Sequence, residues 1–152
     1  MRPNIREAAA TDRQRLLSLA PRLLEGVAPW RPRQAVLDAV TEWVRSALHD
    51  LANDDQMVLV AEYDNSIAGF VHVNETQHWA GQTDAYIGEL VVAPEFEGRG
   101  IGSELVQAAI DWSRPRGLER ITLATGVRNS RARHLYASLG FEEEGVTLCA
   151  SI

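Results

Sequence analysis

Three glycines alternate in Gly98-Arg99-Gly100-Ile101-Gly102-Ser103, at the end of a turn from Pro94 that links the apolar run Leu90-Val91-Val92 to a segment with helical apolar spacing. Glycine inside the start of a helix costs about 1 kcal/mol against alanine, so three at one strand-to-helix turn ask for more than punctuation. Bare backbone lets a ligand approach several unpaired N–H groups, and a helix N-terminus favours negative charge, so a pyrophosphate fits there. The competing reading makes Gly98 a plain turn residue and Gly102 a close-packing residue. A P-loop is excluded because the chain has no lysine. A Rossmann fingerprint fits badly, since Ser103 stands where its last glycine belongs. The absence of lysine also rules out a Schiff base. Cys149 is the single cysteine and His49, His72, His78 and His134 lack a metal-ligand spacing, so no metal site and no internal disulfide are expected.

The elements that must hold this turn come from a chain of 152 residues, 45% hydrophobic and 24% charged, which suits one domain over residues 1–152. Its net charge of −6 repels nucleic acid and anionic membranes. Arg114, Arg116, Arg120, Arg128, Arg131 and Arg133 gather in the C-terminal third, as a solvated face or as holders of a small ligand's phosphates. No run is apolar enough for a membrane span and the start lacks the apolar core of a secretory signal. A cytoplasmic protein is the expectation.

Periodicity predicts strand 4–8 and a helix over 12–25, capped by Thr11 and kinked or split at Pro21. A loop over 26–32 follows, then helix 33–49 burying Val36, Val40, Trp43, Val44 and Ala47. Strands 57–63 and 67–74 turn through Asp64-Asn65, and strand 85–92 leads to helix 100–113. Strand 121–124, helix 129–139 ended by Gly140, and closing strands 141–143 and 146–151 complete the pattern, with Cys149 buried in the last. The order is β-α-α-β-β-β-α-β-α-β-β, a mixed α/β chain around one sheet.

The turn resembles the acetyl-CoA loop of the GCN5-related N-acetyltransferase family, Gln/Arg-x-x-Gly-x-Gly/Ala. Glu97-Gly98-Arg99-Gly100-Ile101-Gly102 matches from Gly100 onward and departs at Glu97, whose carboxylate should turn away from a pyrophosphate. The stretch Glu89-Leu90-Val91-Val92-Ala93-Pro94-Glu95-Phe96 is similar to the family's fourth strand and its Pro-acidic-aromatic turn. Leu123, Thr125, Asn129, Ala132, Leu135 and Tyr136, followed by Leu139-Gly140-Phe141, resemble its fifth strand and fourth helix. These motifs cover residues 85–144, and the first fifty residues carry none.

The resemblance implies the acyl-CoA N-acyltransferase fold, of α/β (α+β) class, with a mixed, mostly antiparallel central sheet flanked by helices. It implies direct acetyl transfer from acetyl-CoA to a primary amine of a small molecule or peptide within a ternary complex. On that pattern the main chain around Leu90, Val91 and Val92 bonds the pantetheine arm. Glu97, Gly98, Arg99, Gly100, Ile101, Gly102 and Ser103 surround the pyrophosphate, and Asn129 and Tyr136 also contact the cofactor. Tyr136 matches the family's usual acid, placed to protonate a thiolate whose conjugate acid has a pKa near ~8.5. Glu89 is the first candidate for the base that frees the amine's lone pair, with Asp84 and Glu75 in reserve. Trp30 and Trp79 are candidate acceptor-pocket residues, Trp43 and Trp112 packing residues. The resemblance also leaves room for a homodimer paired through C-terminal strands. The alternative is a non-catalytic acyl-CoA-binding sensor, which Glu97 favours, and a nucleic-acid-binding domain is a third reading.

Overall fold

The structure is a computed structural model describing residues Met1–Ile152. Five strands form one sheet in chain order: β1 (Asn4–Glu7), β2 (Gln56–Tyr63), β3 (Ser66–Gln77), β4 (Thr83–Val92) and β5 (Ile121–Leu123). The first four are antiparallel neighbours, while β5 joins β4 in parallel, as a crossover through a helix requires. The β2–β3 turn places Asp64 and Asn65 at φ of 51° and 60°, the paired left-handed geometry whose twist suits a tight hairpin.

Helix α1 (Arg13–Leu19) and helix α2 (Arg33–His49) cover one face of the sheet. Leu16, Leu19, Val44, Ala47 and Leu48 meet Val58, Val60, Phe70, Val91 and Ala93 there. Helix α3 (Ile101–Ser113) covers the other face, its Ile101, Leu105, Val106 and Ala109 packing on Ala61, Val71, Val73, Ala85 and Ile87. Helix α4 (Ser130–Ser138) leans against the same side through Tyr136. The side chain of Asn129 caps it by accepting from the Ala132 N–H at 3.2 Å. Residues Ala85 and Ile87 of β4 face α3, whereas Val91 and Ala93 face α1 and α2. A register shift opposite His72 and Val73 makes that change of side, with Gly88 as the extra residue.

The structure corrects several expectations. The expected first helix is split at Pro21, which cannot donate to the ladder, so α1 gives way to a 3-10 turn at Ala20–Leu24, and a further 3-10 turn at Ala10–Asp12 precedes it. Thr11 is not its cap; the Asp12 carboxylate accepts from the Ala9 N–H at 2.8 Å while gripped by Arg6 at 2.7 and 3.0 Å. Trp43 is 54% exposed rather than packed, since the buried stripe of α2 runs through Val40, Val44, Ala47 and Leu48. The two closing strands do not form: residues 142–152 run exposed without a main-chain hydrogen bond. The acidic run Glu142-Glu143-Glu144 leads away from the core, and a three-residue β5 is a short edge on which to build a hairpin. Cys149 is accordingly exposed.

Candidate functional site

Strand β4 pairs with β5 only from Ala85 to Ile87, opposite Ile121 to Leu123. Past that point the two strands part, and a cleft of about 800 Å³ opens between them. Ile87, Gly88, Leu90, Val91 and Val92 form one wall, and Leu123 to Gly126 with Ala132, Leu135 and Tyr136 of α4 form the other. The floor is the glycine turn, where Glu97, Gly98, Gly100, Ile101, Gly102 and Ser103 all line the cleft. Arg22, Leu23 and Val27 close it from the segment after α1.

The turn leaves its amide hydrogens unpaired. Gly98 and Gly100 both sit at φ 75°, with open space where a Cβ would stand, so conformation, not room, demands glycine there. Gly102 has the other reason: a Cβ would come 3.0 Å from Leu135 Cδ2, so close helix packing selects it. The N–H groups from Gly98 to Ser103 have no main-chain acceptor, and they end at the N-terminus of α3, where the helix dipole is positive.

Charge around the turn is arranged by three side chains. Glu97 lines the cleft, and its carboxylate is bound by both Arg22 and Arg131. The Arg131 guanidinium, ahead of Arg22, holds the Glu97 carboxyl below the usual carboxylate range. An acid at the expected Gln/Arg position is therefore offset by two cations on the same rim. Arg99 turns its guanidinium away to stack over Tyr63 and Phe96, at 5.0 and 5.3 Å from the ring centroids. The other arginines of the C-terminal cluster serve locally: Arg116 with Glu75 at 2.9 Å, Arg114 with Asp111 at 3.2 Å, Arg133 with Glu143, and Arg128 over Trp30.

Tyr136 stands in the cleft wall with its ring against Phe141 at 5.5 Å. Burial pushes its phenol up to about 12. The group therefore keeps its proton through the neutral range. Asn129 also lines the cleft, with its amide oxygen capping α4 and its nitrogen donating to Glu25 O at 3.4 Å. Glu89 is buried on the opposite side of β4 from Leu90, facing α2, and does not reach the cleft wall. Its Oε2 lies 2.6 Å from His72 Nδ1. Burial, and after it the neighbouring Glu89, raises the Tyr86 phenol above its ordinary value. Glu75 is occupied by Arg116, Asp84 is buried, and neither lines the cleft. Trp30 and Trp79 lie outside it, Trp79 at 93% exposure. Sequence reasoning missed Arg22, which carries no local motif.

Residues 23–141 match the acetyltransferase (GNAT) family. The chain belongs to this family. This GNAT domain is 35% identical over 100 residues to an uncharacterised N-acetyltransferase of Methanocaldococcus jannaschii, 63% of this chain and 43% of that protein. It is 29% identical over 109 residues to the spermidine N(1)-acetyltransferase of Vibrio cholerae, 71% of this chain and 60% of that protein. The matched region thus spans about half the length of these relatives. The PaiA N-acetyltransferase of Thermoplasma acidophilum, solved in complex with coenzyme A, shares the fold at a TM-score of 0.79. It is 19% identical, over 97% of this chain and 94% of that one. No helix of the GNAT domain is long and apolar enough to cross a membrane.

Proposed function

We propose that this GNAT domain transfers an acetyl group from acetyl-CoA directly to an amine, with small cationic amines as its acceptors. One observation carries the reading: a row of unclaimed N–H groups, Gly98 to Ser103, floors a cleft whose wall is the free edge of β4. Those groups receive the diphosphate, while the main chain of Leu90 and Val92 offers the pantetheine arm a strand edge. Arg22 and Arg131 add positive charge at the same rim, and Asn129 shapes the wall.

Two proton transfers accompany the chemistry. Glu89 takes one proton from the substrate ammonium through water, since its carboxylate lies behind the wall. The freed nitrogen bonds to the acetyl carbon and the carbon–sulfur bond breaks. Tyr136 gives its proton to the departing sulfur and regains one, through water, from the newly bonded nitrogen. The products are an amide, a thiol and one proton on Glu89. The net charge of −6 draws cations toward the protein, and the named substrate of the Vibrio relative is a polyamine.

The test mixes the protein with acetyl-CoA and a panel of amines led by spermidine and follows free thiol. Acceptor-dependent thiol release is the expected result. Calorimetric binding of acetyl-CoA with no thiol release across the panel would instead make the chain an acyl-CoA sensor.

A further inference from the structure

On the α2 side of the sheet, behind the cleft, lies a polar line that the transfer chemistry draws on only at Glu89. Glu89 Oε2 is 2.6 Å from His72 Nδ1, and His72 Nε2 is 2.9 Å from Gln56 Oε1. The Gln56 side-chain nitrogen donates to the carbonyls of Ala47 at 3.0 Å and Asp50 at 2.7 Å, where α2 ends. The His72 and Glu89 side chains are 13% and 6% exposed.

Counting hydrogens fixes the protons along this line. The Gln56 amide commits both its hydrogens to main-chain carbonyls, so its oxygen must face the imidazole. Only an N–H can meet that oxygen, so His72 Nε2 carries a hydrogen. Nδ1 then faces a carboxylate oxygen at 2.6 Å, too close for two lone pairs, and one proton lies between them. Imidazolium beside carboxylate and imidazole beside carboxylic acid are its two placements. The pair is electrically neutral in both, which suits its burial.

The line is also tied to the cleft. Gly88 is the bulged residue of β4 and lines the cleft, and a Cβ there would stand 3.1 Å from His72 Nδ1. The ring therefore packs tightly against Gly88, where any side chain would push it aside by a few tenths of an ångström, beside Ile87, the last residue of β4 paired with β5. Bulges re-aim strands next to active sites, and this one carries Glu89 as the following residue.

We propose that Gln56 and His72 are positioning residues for Glu89, holding one proton on its Oε2 side and leaving Oε1 as the oxygen that accepts the amine's proton. This rests on the acetyltransferase reading above. In the step, an N–H bond of the ammonium breaks, the proton crosses a water to Oε1, and the His72–Glu89 pair passes from neutral to singly positive. The added proton leaves to solvent after the product departs.

Spectra of protein labelled with ¹⁵N at histidine, recorded without substrate, read these protons directly, and His72→Gln assigns the resonance among the four histidines. In the wild type, Nε2 is expected to be bonded to hydrogen and Nδ1 to share one. Gln56→Leu removes the acceptor facing Nε2–H, frees the ring to adopt the Nδ1–H tautomer, and is expected to leave Nε2 bare. On spermidine, or the panel amine turned over fastest, Gln56→Leu should lower kcat on the order of tenfold while the KM for acetyl-CoA stays within about twofold. A wild-type His72 with an unprotonated, unshared Nδ1, or a folded Gln56→Leu with unchanged kcat, overturns the proposal. If Gln56→Leu does not fold, the wild-type spectrum decides. A protein that acetylates none of the amines would defeat the functional reading, whereas the spectra test the proton count independently.

Discussion

At the scale of single residues, the site separates into groups that meet the cleft and groups that act from behind it. Tyr136 meets it, with a phenol whose value of about 12 keeps it protonated through the neutral range. Tyr136→Phe keeps the ring and its contact with Phe141 while removing the donated proton. It is expected to lower kcat by about 10²-fold with little change in the KM for acetyl-CoA, as steady-state thiol assays will show. The glycines and Tyr136 were legible as neighbours of one cleft because each belongs to its own local motif, at residues 97–102 and 123–141. The Glu97 clamp was not, because Arg22 lies 75 positions from its partner and meets it only after folding. The Gln56–His72–Glu89 line was hidden for the same reason: its members sit on three different strands and join through sheet register.

At the scale of elements, the glycine turn and α3 behave as one unit, the turn freeing N–H groups and the helix adding its dipole. Gly100→Ala must hold alanine at φ 75°, a strain of about 1–2 kcal/mol. It should raise the KM for acetyl-CoA several-fold and weaken coenzyme binding by calorimetry, with a smaller effect on kcat. Helices α2, α3 and α4 and the β2–β3 hairpin follow from periodicity, caps and the Asp64-Asn65 turn. Trp43 misled because apolar spacing at 40, 43, 44 and 47 fits a helix face, while the sheet meets only the stripe through Val40, Val44, Ala47 and Leu48. The closing strands misled for a related reason: alternation in 146–151 satisfies a strand pattern, but a strand also needs a neighbour to pair with.

At the scale of the whole molecule, one sheet separates two apolar cores, and Arg6 binds the first strand to the α1 entry through Asp12 and to β2 through Glu62. Hydrogen bonding from Arg6 holds the Asp12 carboxyl below its ordinary value. The folded value lies under the unfolded one, so this contribution is complete above the usual aspartate range and fades as pH falls through the lowered value. Asp12→Asn should therefore reduce stability at neutral pH by about 1.5–3 kcal/mol, and the gap to wild type should shrink in acid, as urea melts at both pH values will show. Strand β5 adds one more trait, because it is claimed by β4 on one side and by nothing on the other. In deuterated buffer its outward amides should trade hydrogen for deuterium almost at once, while the amides of β3, flanked on both sides, keep theirs longest.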